Sequence, residues 1–240
     1  MIQRTFLITG ASKGIGRAAA ERLHAAGHGV VGIARHTEGV DFPGTLVAAD
    51  LGDDETTRRV VDDLAGRFRF DGVINNVGLV CPQPLGEIDL ETFDQVLRVN
   101  LHSAILATQA VLPGLRERGW GRIVNVSSLT VLGMPGRTAY ASAKAALVNF
   151  TRTWALELAR TGITVNAVAP GPIETELFRE NNPPGSEGEA RYLAGVPMDR
   201  LGRPNEIAAT IEFLLAEESG YLTGQTLHVD GGASVGRAAF

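Results

Sequence analysis

The chain has 240 residues, 44% of them hydrophobic and 20% charged, enough apolar material for one substantial core without disulfides or a structural metal. A net charge of -5 and the lack of any long basic run argue against a dedicated nucleic-acid or anionic-membrane surface and favour a small-molecule partner. The 29 glycines are scattered among apolar runs, which excludes collagen-like and low-complexity classes and marks turns or close backbone approaches instead.

The opening MIQRTFLITG has no apolar h-region, so neither a secretory signal nor a membrane anchor is expected there. Phe6-Leu7-Ile8, a helical stretch Ala18–Ala26 and Val30–Ala34 follow one another as strand, helix and strand, a βαβ unit. The alternation continues through Leu46–Ala48, a helix near Asp54–Gly66, Gly72–Ile74, one long helix near Leu90–Arg118 and the strand Arg122–Val126. A single cysteine, Cys81, rules out an internal disulfide and a multi-cysteine metal site and fits a reducing cytoplasm. A helix over about Thr138–Arg160, the strand Ile163–Val168, a helix from Asn205 to Leu215 and the strand Thr226–Val229 complete the order. Strands this short, apolar on both faces and separated by helices, predict a doubly wound parallel sheet of the Rossmann-like α/β class, three layers in one domain over 1–240. Between Glu174 and Pro197 the apolar period lapses and Asn181-Asn182-Pro183-Pro184-Gly185 is rich in helix breakers, which predicts a mobile loop and a substrate lid near 174–197.

Thr9-Gly10-Ala11-Ser12-Lys13-Gly14-Ile15-Gly16 follows the first strand and opens the first helix. Glycines there let the backbone approach a pyrophosphate, and the helix N-terminus offers it free N–H groups. A tight turn without a ligand is the bland reading of the same residues. At the end of the second strand, where an acidic residue would accept a hydrogen bond from the ribose of NAD, stands Arg35; a cation there favours the 2′-phosphate of NADP, with Lys13 as a second contact. Tyr140 and Lys144 lie four apart on one helical face, where the ammonium is expected to lower the phenol pKa toward working range. A hydroxyl from Ser127 or Ser128 at the end of the preceding strand could stabilise charge on a reacting oxygen.

Together with Asn75-Asn76-Val77-Gly78, Asn100, Pro170-Gly171-Pro172-Ile173-Glu174-Thr175, Leu222-Thr223-Gly224-Gln225 and Val229-Asp230-Gly231-Gly232, these motifs resemble, in order and spacing over almost the whole chain, the short-chain dehydrogenase/reductase family. The resemblance implies hydride transfer between a nicotinamide cofactor, NADP with NAD as the alternative, and a carbonyl or alcohol substrate. It implies Tyr140 as general acid/base, Lys144 as its pKa-lowering partner and ribose holder, and Asn100 as holder of a water leading from Lys144 to solvent. Gly10, Ser12, Lys13, Gly14, Ile15, Gly16, Arg35, Asp50, Leu51, Asn76, Gly78, Pro170, Gly171, Ile173 and Thr175 would contact the cofactor. The family's usual serine-to-tyrosine separation selects Ser127, whereas its Asn-x-Ser-Ser pattern selects Ser128; Ser128 is preferred because the strand register decides which side chain faces the cleft.

The resemblance and the long amphipathic helices also imply a homotetramer. Two alternatives accompany the reading. One is a reductase of carrier-bound 3-oxoacyl groups, with Arg116, Arg118, Arg122 and Arg160 as a landing patch for an acidic carrier; the other is a cofactor-binding sensor without chemistry. Leu177, Phe178, Tyr192 and Leu193 give the lid a partly apolar character that does not choose among substrates.

Overall fold

A computed structural model describes residues 2–236. Its strands are β1 (Thr5–Thr9), β2 (Gly29–Ala34), β3 (Thr45–Ala48), β4 (Gly72–Asn75), β5 (Gly121–Val126), β6 (Ile163–Pro170) and β7 (Thr226–Val229). They form one parallel sheet in the order β3-β2-β1-β4-β5-β6-β7. The order reverses between β1 and β4, and in such sheets a ligand crevice opens at that point, outside the carboxyl ends of the strands. The helices are α1 (Gly14–Ala25), α2 (Asp54–Arg67), α3 (Leu90–Leu97), α4 (Ser103–Arg118), α5 (Thr138–Leu158), α6 (Glu176–Asn181), α7 (Glu187–Leu193) and α8 (Pro204–Leu215). They cover both faces of the sheet with two apolar layers. One is built on Phe6, Ile8, Val124, Ile207 and Ile211, the other on Leu7, Val73, Leu106, Leu115 and Ile123. Successive residues of β1 alternate between these layers, as the two-residue pleat requires.

Two expectations need correction. The long helix Leu90–Arg118 is interrupted by a π-helical turn at Arg98–His102. There the Asn100 side chain donates to the carbonyls of Val96, at 2.8 Å, and Leu79, at 2.9 Å, a π-turn of the kind often found at functional sites. The expected mobile loop at 174–197 is instead occupied by α6 and α7. Thr175 and Ser186 cap them by accepting from Phe178 N and Glu189 N, each at 3.2 Å, and the helix breakers fall in the link between the two. Arg179 then joins the pair by bonding both Glu174, at 2.6 Å, and Glu189, at 2.5 Å.

Below the carboxyl end of the sheet runs a buried polar chain. Asn75 Nδ2 donates to Thr108 Oγ1 at 3.0 Å and to Asn125 Oδ1 at 2.9 Å, and Asn125 Nδ2 donates to Thr151 Oγ1 at 2.9 Å. These bonds tie β4 and β5 to α4 and α5 and fix the height of both helices against the sheet, although Asn75 Oδ1 is left without a partner.

Candidate active site

At the amino end of α1 the backbone is held from below. Thr9 Oγ1 accepts from the N–H groups of Asn76, at 3.0 Å, and Val77, at 3.1 Å, and Asn76 Nδ2 donates to the carbonyls of Thr9 and Gly10, both at 2.9 Å. Asn76 therefore braces the glycine turn, a role its motif alone did not disclose. Gly10 has φ +67°, and a Cβ on Gly16 would stand 2.3 Å from the Gly10 carbonyl oxygen, so neither position admits a side chain without moving the loop. The result is a concave backbone surface at a helix N-terminus, chemically suited to a pyrophosphate.

A cleft of about 730 Å³ runs from this surface along the carboxyl ends of the strands. Gly10, Ser12, Lys13, Gly14, Ile15, Arg35, Asp50, Leu51, Asn76, Gly78, Ser128, Tyr140, Lys144, Pro170, Gly171, Ile173 and Thr175 line it; Gly16 lies behind the turn and Asn100 behind Gly78. Arg35 is exposed at its far end with no carboxylate at ion-pair distance among the described residues. Lys13 makes a loose, exposed contact of 3.8 Å with Glu180 of α6, weak enough for a phosphate to displace. Asp50 Oδ1 accepts from Gly52 N at 3.0 Å, while Leu51 is buried beside it. Ile173 is buried, and Thr175 Cγ2 comes within 3.3 Å of a Cβ built on Gly14.

At the other end, Lys144 is 2% exposed, and its Nζ donates to the Val126 carbonyl at 2.9 Å. Ser127 returns the favour: its Oγ donates to the Lys144 carbonyl at 2.9 Å and is buried with it. The pleat turns the next residue the other way, so Ser128 faces the cleft with its hydroxyl close enough to Tyr140 to favour the phenolate. Lys144 Nζ lies 5.5 Å from the centroid of the Tyr140 ring. The expected depression of the phenol is not what this pair shows. Burial raises the Tyr140 pKa, against smaller opposite effects of Ser128 and the Arg137 guanidinium, and burial lowers Lys144 to about 7. Tyr140 keeps some exposed surface but sits on the floor of the cleft, and desolvation governs both groups.

Asn100 Oδ1 is buried without a hydrogen-bond partner. A Cβ on Gly78 would lie 3.3 Å from it and 3.6 Å from Lys144 Nζ, so the unspent acceptor and the ammonium face the same small gap under the cleft, a place with the polar partners a bridging water needs.

Of the four arginines expected as a carrier landing patch, Arg116 and Arg160 are exposed and Arg118 and Arg122 are turned inward. Arg116 and Arg118 end α4, Arg122 begins β5 and Arg160 follows α5, all at the amino ends of the strands and opposite the cleft. Arg122 is buried over the Trp120 ring, and Arg118 donates to the Phe70 carbonyl.

Residues 10–234 match the family model described as Enoyl-(Acyl carrier protein) reductase. The 3-oxoacyl-[acyl-carrier-protein] reductase FabG of Vibrio cholerae is 38% identical over 94% of this chain and 95% of its own. A Beutenbergia cavernae structure with NADP bound at low occupancy superposes with a TM-score of 0.91 at 34% identity, covering 97% of both chains. ElxO with NADP bound gives 0.90 at 29% identity, covering 98% of this chain and 100% of that one. The chain belongs to the short-chain dehydrogenase/reductase family. It is an oxidoreductase, and its seven-stranded sheet is the dinucleotide-binding fold of that family.

A buried lysine in such an enzyme costs stability. With its pKa lowered to about 7 in the fold, Lys144 carries the full penalty below pH 7, no more than about 5 kcal/mol. Between there and the unfolded value the unfolded chain binds the extra proton, so the penalty fades as pH rises. Lys144→Met should therefore unfold at a higher temperature than the parent at pH 7, with the advantage shrinking by pH 10. Calorimetry at both pH values measures this, and a pH-independent difference would contradict it.

Proposed function

We propose that this oxidoreductase interconverts a carbonyl and an alcohol, with Tyr140 as general acid/base, Ser128 as the hydrogen-bond donor to the reacting oxygen, and Lys144 as the cation beneath them. The observation that carries the reading is the convergence of these three side chains on the floor of the cleft that the glycine turn opens. A nicotinamide dinucleotide supplies or accepts the hydride when bound. The glycine turn, Asp50 with Leu51, and Ile173 with Thr175 would hold it along the cleft, and the cofactor is NADP(H), as in the NADP-bound neighbours. In reduction Tyr140 gives its proton to the carbonyl oxygen as the alkoxide develops, and its burial favours the protonated form this step needs. Lys144 and the gap beside Asn100 Oδ1 would then return a proton to Tyr140 through a water. Helices α6 and α7, with Leu177, Phe178 and Tyr192 on the cleft, act as the lid. The carrier-protein activity of the relatives is a second reading, for which the exposed Arg116 and Arg160 at the amino ends of the strands would be the docking charges. A single free cysteine, Cys81, suits a cytoplasmic setting.

Tyr140→Phe should retain fold and NADPH binding while turnover falls by orders of magnitude; near-normal turnover would remove the assignment. Ser128→Ala should lose on the order of 10²-fold in kcat, whereas Ser127→Ala should mainly lower stability, by about 1 kcal/mol, by freeing the Lys144 carbonyl. The opposite ranking of kcat values would make Ser127 the donor.

Arg35 carries the cofactor preference. Replacing it with Asp exchanges a charge-assisted contact for repulsion and should shift the NADPH-to-NADH ratio of kcat/KM toward NADH by roughly 10- to 150-fold. A parent ratio below one, or a ratio that does not move, places the choice elsewhere.

We also propose a homotetramer. Leu156 on the outer face of α5 is 81% exposed, and on the other side of the sheet Phe213 of α8 is 51% exposed with Tyr221 fully so, two separate apolar surfaces of the kind that two-fold axes cover. Light scattering at micromolar concentration should give four chain masses; a monomer mass with full activity would remove the idea.

A further inference from the structure

We infer that the substrate is a small oxo or hydroxy acid whose carboxylate is bound by Arg137 together with Tyr192. This rests on the carbonyl/alcohol reading above and adds the chemical class to it. Arg137 immediately precedes α5, three residues before Tyr140, and lines the cleft on the side away from Arg35 and Asp50. Its guanidinium acts on the Tyr140 phenol electrostatically, and the two side chains share the cleft.

What it binds within the chain does not account for it. Arg179 and Arg200, on the same side of the molecule, are each matched by glutamates, Arg179 by Glu174 and Glu189 and Arg200 by Glu206. Arg137 has no carboxylate at ion-pair distance among the described residues, and its one side-chain hydrogen bond is a long one, 3.4 Å, to the Tyr192 hydroxyl of α7. Glu176, the acid on this part of the cleft wall, is exposed at the start of α6 and does not pair with it. Much of the remaining wall is apolar, with Leu79, Val80, Leu132, Met134, Leu177 and Phe178, and Gln95, Thr130 and Asn182 are its neutral polar members. A half-buried guanidinium with donors to spare in such surroundings favours an anion, and its planar fork matches a carboxylate.

The arrangement also serves the chemistry. While its charge is unmatched, Arg137 draws Tyr140 toward the phenolate. A carboxylate seated on Arg137 cancels that pull, so arrival of the correct substrate helps keep the proton on the group that must donate it. Tyr192 belongs to the lid and meets Phe178 edge-on at 5.2 Å, so an acid held between Arg137 and Tyr192 would also hold α7 over the cleft.

The test compares kcat/KM with NADPH for 2-, 3- and 4-oxo acids (pyruvate, acetoacetate, levulinate), each against its methyl ester. The parent enzyme should prefer at least one acid to its ester by about 10-fold or more. In Arg137→Gln that acid-to-ester ratio should fall about 10- to 100-fold, chiefly through the KM of the acid, and Arg137→Lys should restore part of it by returning the charge without the fork. Tyr192→Phe should lower the same ratio by a smaller factor. Esters turned over as well as every acid, with a ratio unchanged in Arg137→Gln, would overturn the inference while leaving the carbonyl reductase intact. Absence of turnover with all six compounds and with neutral ketones and aldehydes would count against the underlying reading instead.

Discussion

The arrangement on which the active site depends is the reciprocal hold between the end of β5 and the first turns of α5. Lys144 donates to the carbonyl of Val126, and Ser127 donates to the carbonyl of Lys144. Each bond is buried, so each satisfies a group whose exposure to apolar surroundings would cost about 1–3 kcal/mol. The pair closes a ring that fixes the rotation of α5 about its own axis, and through the helix spacing it fixes where Tyr140 stands. The polar chain from Asn75 through Asn125 to Thr151 fixes the same helix two turns further on. Burial that lowers Lys144 to about 7 is then a consequence of position: the ammonium is needed under the tyrosine, and that place is dry.

Much of this was legible in the sequence because the signals are local. Strand, turn and helix alternate with the right periods, and the glycine turn and the Tyr-x-x-x-Lys pair lie where a doubly wound sheet puts its ligand crevice. The choice between Ser127 and Ser128 needed the register. β5 pairs with β6 up to Val126 and Val168, and Ser127 N continues the ladder by donating to the Val168 carbonyl at 2.8 Å, so its side chain goes to the α5 side and the next one to the cleft.

The rest was hidden because it depends on partners distant in sequence. The apolar period runs unbroken across Arg98–His102, and a π-turn changes the hydrogen-bond ladder without changing composition. The lid helices were marked after all: Ser186 and Glu189 have the S-x-x-E spacing of a capping box, and Thr175 stands where a cap belongs, signals outweighed in the sequence by the breakers between them. The pKa of Tyr140 was misread for a different reason, because spacing places the ammonium near the phenol but does not reveal how dry the floor is.

Charge in the cleft differs from charge in the chain. The protein carries a net -5, yet the cleft has Lys13 and Arg35 at one end, Lys144 in the floor and Arg137 at the other, against Asp50 and Glu176 at its edges. A long-range field set by the net charge would repel an anionic cofactor, whereas a concave surface with low-dielectric walls makes the local cations dominate within roughly one Debye length, about 8–10 Å. Spacing the cations along the cleft rather than clustering them gives each a separate anionic group to meet. It also leaves the middle, where Tyr140 and Ser128 work, governed by hydrogen bonding and burial, so that charge recognition at the two ends and proton transfer at the centre can be altered one at a time.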